Sequence, residues 1–161
     1  MDIKKTANLF INFTLKRLAE IFGVIILSCG FLLLSTLITY SPEDPNFIFP
    51  ENTEIKNILG FHGSFIADLF FQSIGLVSYL FSFTLFFTGI NIIKTKEFFL
   101  FIENTFFVII YSILGTLFFS HYYSESFDLY INGNGGFVGN YLSQTFLKSI
   151  ILINEVIFYY T

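Results

Sequence analysis

From Ile21 to Tyr40 every position is uncharged, and twenty such residues in a row make about 30 Å of α-helix, the thickness of a bilayer's hydrocarbon core. The pattern returns twice. Leu69 to Ile93 carries no charge, with its most apolar part from Ile74 to Ile93, and Asn104 to Ser120 is a further uncharged run preceded by Phe98 to Ile102 and one acid, Glu103. A carboxylate deep in lipid is costly, so Glu103 belongs by an interface and the third helix starts near Phe98. Ahead of the first run, Lys5, Asn8, Asn12 and Lys16 share one helical face, with Ile3, Ala7, Phe10 and Leu18 broadly opposite. That arrangement suits either an interfacial helix on an anionic leaflet or a plain extension of the first span.

Composition makes lipid the solvent. The 161 residues are 54% hydrophobic and 21% aromatic with only 12% charged, too apolar to wrap a core in a polar surface. A net charge of -4, with eight Lys and Arg dispersed along the chain, offers no basic field, so no direct nucleic-acid binding by this segment is expected. The single cysteine, Cys29, lies inside the first run and reads as a small packing residue. Twenty apolar residues with no A-x-A site before Ser41-Pro42 also exceed a usual cleavable signal, so the first span is taken as permanent.

Loop charges set the expected orientation. Lys4, Lys5, Lys16 and Arg17 precede the first span, and Lys94 and Lys96 lie between the second and third, which places both segments in the cytoplasm. The first outer loop carries Glu43, Asp44, Glu51 and Glu54 against Lys56, and the second carries Glu125 and Asp128 with no basic residue before Lys148.

An internal repeat organises the rest. Gly60-Phe61-His62-Gly63 aligns with Gly136-Phe137-Val138-Gly139 at an offset of 76 residues, and the register continues through Phe70 over Phe146 and Ile74 over Ile150. Ser64, Asp68 and Gln72 fall over Asn140, Gln144 and Lys148, each set on one helix face. Each copy starts at a Gly-x-x-Gly turn, where glycine permits positive φ or close backbone approach. The register predicts a fourth span starting at Ile150 and running past Thr161, with Glu155 inside it; the competing reading is an interfacial helix at the C-terminus.

The expected fold is therefore an all-α membrane protein, a polytopic helical bundle of three full spans plus a truncated fourth, in two span-loop-span repeats. It forms a single membrane domain over 1–161. Its parts are a cytoplasmic juxtamembrane segment (1–19), span 1 (20–40), an outer loop (41–63), an amphipathic entry with span 2 (64–93), a cytoplasmic loop (94–97), span 3 (98–120), an outer loop (121–136), and an amphipathic entry with an incomplete span 4 (137–161).

Few residues offer chemistry. Asp68 and Lys148 occupy similar depths in the two copies, which suggests an inter-repeat pair, against interfacial snorkelling of each alone. His62 and His121, with Glu54, Glu125 and Asp128 as oxygen donors, lack any zinc-binding spacing and read as isolated loop residues; no catalytic, cofactor or metal site is assigned. Asn132-Gly133-Asn134-Gly135-Gly136 lacks the lysine and the strand of a phosphate loop and reads as a flexible outer loop. Small residues one turn apart, Ala19 with Gly23, Ser78 with Ser82 and Ser112 with Thr116, would let helices approach closely.

Several short motifs occur in an ordered series. Ile38-Thr39-Tyr40-Ser41-Pro42-Glu43-Asp44-Pro45-Asn46-Phe47 resembles the S-Y-S-P-x-D-P-S-[WF] segment of the N-terminal four-transmembrane (4TM) domain of FtsK/SpoIIIE-type DNA translocases. Asn57-Ile58-Leu59-Gly60-Phe61-His62-Gly63 with Ala67-Asp68 and Gln72-Ser73-Ile74-Gly75 resembles that family's N-x-x-G-x-x-G-A-x-x-A-D-x-x-x-Q-x-x-G run, and Gly135-Gly136-Phe137-Val138-Gly139 its second G-G-x-x-G. Thr39 and Asn46 stand where the family usually has serines, and the glycine expected early in the fourth span is missing near Glu155. The family motif thus rests on Ser41, Pro42, Asp44, Pro45, Gly60, Gly63, Asp68, Gln72, Gly136 and Gly139.

The resemblance implies a membrane anchor and septum-targeting domain, in the bacterial inner membrane with its N-terminus cytoplasmic, for a translocase acting in cell division and chromosome segregation. It implies divisome partners, a homo-oligomer that is hexameric through the motor, and ATP with magnesium only in a motor that this segment does not contain. It assigns no enzyme activity to the segment itself. The alternative is a small membrane transporter or channel half, which would need polar groups lining a path; a membrane-embedded or outer-loop enzyme ranks third.

Overall fold

The computed structural model describes residues 3–45, 54–123 and 132–149. Helix α1 is Ile3–Ile38, α2 Gly60–Ile74, α3 Val77–Thr95, α4 Phe99–Tyr122 and α5 Gly136–Leu142, the last continuing as a π-helical turn over Ser143–Leu147. Three stretches, Ala7–Ile38, Val77–Thr95 and Phe99–Tyr122, are long and apolar enough to cross a membrane. The fold is a helical membrane bundle, and its outward face is apolar: Phe99 is 80% and Phe10 72% exposed. The predicted fourth span from Ile150, with Glu155, lies outside the described residues.

Apolar surface cannot drive helices together in lipid, so close backbone packing has to. Glycine makes that possible between α1 and α3. A Cβ on Gly30 would sit 2.5 Å from the Phe86 amide nitrogen, one on Gly89 2.4 Å from that of Leu27, and one on Gly23 2.8 Å from the Ile93 side chain. Numbers rise on α1 as they fall on α3, so the two helices are antiparallel. Ala19, Ser78 and Ser82, expected as small packing residues, are fully buried. The serine hydroxyls return to carbonyls of their own chain, Ser78 to Gly75 at 2.6 Å and Ser82 to Tyr79 at 2.8 Å, so burial leaves neither unpaired.

Helix α4 joins α3 through polar pairs. Asn104 Nδ2 donates to Thr88 Oγ1 at 2.8 Å, and the Thr84 and Tyr111 hydroxyls share a bond at 2.8 Å. At the end where α1 begins and α3 meets α4, here the basic end, Glu20 accepts from Arg17 at 2.6 Å and from Lys96 at 2.9 Å. Lys96 caps α3 with φ at 63°, an unusual value for a residue with a side chain. Phe22 of α1 closes the same end against Phe98 and Phe101.

Two expectations change. Residues 3–18 do not form a separate interfacial helix; α1 runs unbroken through them, which realises the alternative of an extended first span. Nor does one helix run through 64–93. The chain breaks at Gly75, whose φ of 59° and ψ of -140° are outside any helix, and α2 and α3 are distinct. Glycine alone tolerates that conformation at no steric cost, which is why the break falls there.

Candidate functional site

At the end opposite the basic one, the motif residues build a cap over the bundle in two linked parts. The first is a clasp on the loop after α1. Pro42 fixes φ just past the helix and the Asp44 amide closes a turn on the Ser41 carbonyl at 3.1 Å. The Asp44 carboxylate, 1% exposed, then accepts the returning chain: Lys56 N–H at 2.8 Å on Oδ1 and Asn57 N–H at 2.9 Å on Oδ2. Asn57 is itself buried and donates its side-chain amide to the Thr36 carbonyl at 2.9 Å, while Ser64 of α2 donates to the Pro45 carbonyl at 3.0 Å. Both oxygens of this buried carboxylate are thus taken up by backbone donors.

Outside the clasp, Lys56 Nζ lies 2.5 Å from Glu43 Oε2 with both side chains mostly exposed. The hydrogen bond from Lys56, and secondly its charge, hold the Glu43 carboxyl below its ordinary range and raise the lysine. A lowered carboxyl supports the fold above its unfolded pKa, and that support is lost as pH falls through the lower folded value. We therefore expect Glu43→Gln to flatten the acid side of the stability curve slightly at low ionic strength and to change nothing at high salt, because exposed pairs are screened. An equal difference at both salt levels would contradict this.

The second part is a junction of glycines. Gly60 and Gly136, aligned by the repeat, have φ of 64° and 65°, and each donates its amide to the carbonyl three residues earlier, Asn57 at 2.9 Å and Gly133 at 3.2 Å. The repeat is thus real in the backbone. The two glycines differ in their surroundings: nothing lies within 4 Å of a Cβ on Gly60, whereas one on Gly136 would meet the amide nitrogens of Gly75 at 2.6 Å and Ile74 at 2.7 Å. Gly63 and Gly139 are buried, with the Asn57 side chain at 2.1 Å and the Thr116 carbonyl at 2.3 Å from their hypothetical Cβ atoms. Leu76 N–H, freed by the break, donates to the Asn134 carbonyl at 2.9 Å and ties the start of α3 to the turn before α5.

Asparagines complete the junction. Asn132 Nδ2 donates to Gln72 Oε1 at 3.1 Å, Asn140 Nδ2 to the Asn132 carbonyl at 2.7 Å, and Ser120 of α4 to Asn140 Oδ1 at 2.7 Å. Asn134 is completely buried and donates to the Tyr123 carbonyl at the end of α4, as Asn57 does at the end of α1. Residues 132–136 are therefore a packed turn, which corrects the flexible loop expected from their glycine and asparagine content. Sequence reasoning passed over Asn132 and Asn134 because their partners, on Gln72 and the Tyr123 carbonyl, lie 60 and 11 residues away, and no local spacing announces such bonds.

Of the remaining site residues, Asp68 and Gln72 stand on α2 one turn apart. The structure does not join Asp68 to Lys148. Asp68 Oδ1 accepts the Tyr40 hydroxyl at 2.9 Å, Lys148 is exposed, and no ion pair among the described residues links them. A π-helical turn at Ser143–Leu147 precedes Lys148, so the α-helical register from which the pair was counted does not hold there. We expect Tyr40→Phe to cost about 1–2 kcal/mol in detergent, and Asp68→Lys with Lys148→Asp to show no mutual rescue. Recovery of stability in that double variant would restore the pair. His62 and His121 are both exposed, and among the described residues no three metal-ligating side chains converge.

Comparison with known proteins follows the same motifs. Residues 15–158 match the family described as the 4TM region of DNA translocase FtsK/SpoIIIE. A protein named DNA translocase FtsK from Rickettsia bellii (strain RML369-C) is 28% identical over 131 residues, 81% of this chain and 16% of the relative. Another of that name, from Rhizobium meliloti (strain 1021), is 28% identical over 78 residues, 48% of this chain and 9% of the relative. The chain therefore spans under a fifth of either relative's length. No solved structure matches.

Proposed function

From the premise that this chain belongs to the family of the 4TM region of DNA translocase FtsK/SpoIIIE, we propose that it anchors a bacterial DNA-translocating motor in the inner membrane and places it at the division septum. The observation that carries this reading is the family match over nearly the whole chain, reinforced by the hydrogen bonds and close approaches its motif residues make at one end of the bundle. In this reading the basic end faces the cytoplasm, where the motor works, and the cap faces outward toward divisome partners. The segment performs no catalytic step; ATP and magnesium belong to the motor, and oligomerisation to a hexamer belongs there too.

The described part of the cap is suited to recognition, because its backbone groups are already paired and less ordering entropy is lost on binding. The test is a fluorescent fusion of this chain expressed at low level in dividing cells. A band at midcell is expected, with Asp44→Ala spreading the signal around the envelope while membrane insertion persists. Uniform peripheral fluorescence of the unaltered chain would refute septal targeting.

A further inference from the structure

The antiparallel crossing of α1 and α3 leaves an outward-facing groove of about 470 Å³, walled by Leu27, Ser28, Phe31 and Leu32 of α1 and Phe86 and Ile90 of α3. The wall is apolar in effect, since the Ser28 hydroxyl is turned back on the Val24 carbonyl at 2.9 Å. Its mouth toward the basic end is cationic. Lys94 follows Ile90 by one turn of α3, about 6 Å, and Lys16 and Arg17 precede Leu27 and Ser28 by three turns of α1, about 16 Å, on the same stripe. One leaflet's hydrocarbon is about 15 Å deep, so Lys94 lies within a leaflet's depth of the groove and Lys16 and Arg17 about one leaflet from it.

The cations are also held in place. Arg17 and Lys96 grip the two oxygens of Glu20, at 2.6 and 2.9 Å, yet their side chains remain 57% and 38% exposed. Glu20 is thus consumed by two cations and leaves a net positive charge. Among the described residues, Glu97 on the α3–α4 connection and Glu103 on α4 are the other acids at this end, and no carboxylate lines the groove. Lys16 and Lys94 are exposed.

We propose that the groove holds one phospholipid with a net negative phosphodiester headgroup, its acyl chain against Phe31, Phe86 and Ile90 and its phosphate on Lys94, Lys96 and Arg17. Such a lipid matches both halves of the site, an apolar slot and a basic mouth within a leaflet's depth of it, which a free phosphate or a neighbouring helix would match only in part.

The test is native mass spectrometry of the whole chain in detergent, titrated with dioleoyl phosphatidylglycerol, dioleoyl phosphatidylcholine or inorganic phosphate. Phosphatidylglycerol should be retained preferentially as a single adduct. Lys94→Gln with Lys96→Gly should lower that retention by about fivefold per lysine; glycine accepts the φ of 63° at residue 96, so the helix cap survives. Ile90→Trp should fill the slot and lower retention with every charge intact. Arg17→Gln gives a second charge variant should the first fail to fold, with helical content by circular dichroism as the control. Equal retention of the two lipids overturns the proposal. Displacement of the lipid by phosphate with no effect of Ile90→Trp marks a free-anion site and overturns it, and so does a lipid-free dimer that Ile90→Trp dissociates.

Discussion

Gly136→Ala should unfold the cap at a cost of about 4 kcal/mol, whereas Gly60→Ala, at an equal φ in the aligned turn, should cost only about 1–2 kcal/mol. The shared part is the left-handed backbone, which disfavours any Cβ. The rest is local to Gly136, where a methyl group would press on the Gly75 and Ile74 amides at 2.6 and 2.7 Å. Those are backbone atoms and cannot rotate away. The turn before α5 must separate from the end of α2, and the Leu76 to Asn134 bond goes with it, adding about 1 kcal/mol for the hydrogen bond. Unfolding in sodium dodecyl sulphate followed by circular dichroism measures both variants. Equal losses for the two would show that the junction does not depend on close approach.

Asp44 carries the second large effect. Asp44→Ala removes the acceptor for two amides, Lys56 and Asn57, in a place that water does not reach. Bonds to a charged acceptor contribute about 1.5–3 kcal/mol each, so a loss of about 3–5 kcal/mol is expected. Asp44→Asn keeps one good acceptor oxygen and should fall about midway. Hydrogen exchange gives the specific signature: the Lys56 and Asn57 amides should lose protection in Asp44→Ala while the α1–α3 crossing keeps it. Protection unchanged at those two amides would contradict the clasp even if overall stability fell.

Much of this was legible in the residues because its cause is local. Runs without charge gave α1, α3 and α4, since the bilayer imposes a length that composition records directly. The Gly60 and Gly136 turns were legible for a different reason: positive φ selects for glycine, so the backbone writes itself into the sequence. Gly75 carried the same signal, but within an uncharged stretch of spanning length it read as part of a helix. Its break became visible only against Asn134, whose carbonyl takes the amide that the break releases. Asp44 was legible as an outer-loop acid and a motif position, and its hold on residues 56 and 57 depends on where the loop returns. No Asp68–Lys148 pair forms among the described residues, where Asp68 takes the Tyr40 hydroxyl, and matching spacing implies a matching face only while the helix keeps one pitch.

Helix α1 has 36 residues, about 54 Å of rod in a hydrocarbon layer of about 30 Å. The uncharged run from Ile21 matches that layer and the charged start of the helix extends beyond it, while its glycines lock α1 to α3 and its far end carries the clasp. A thinner or thicker bilayer therefore changes the inclination of the whole α1–α3 pair, and the cap turns with it as a dial turns with its shaft.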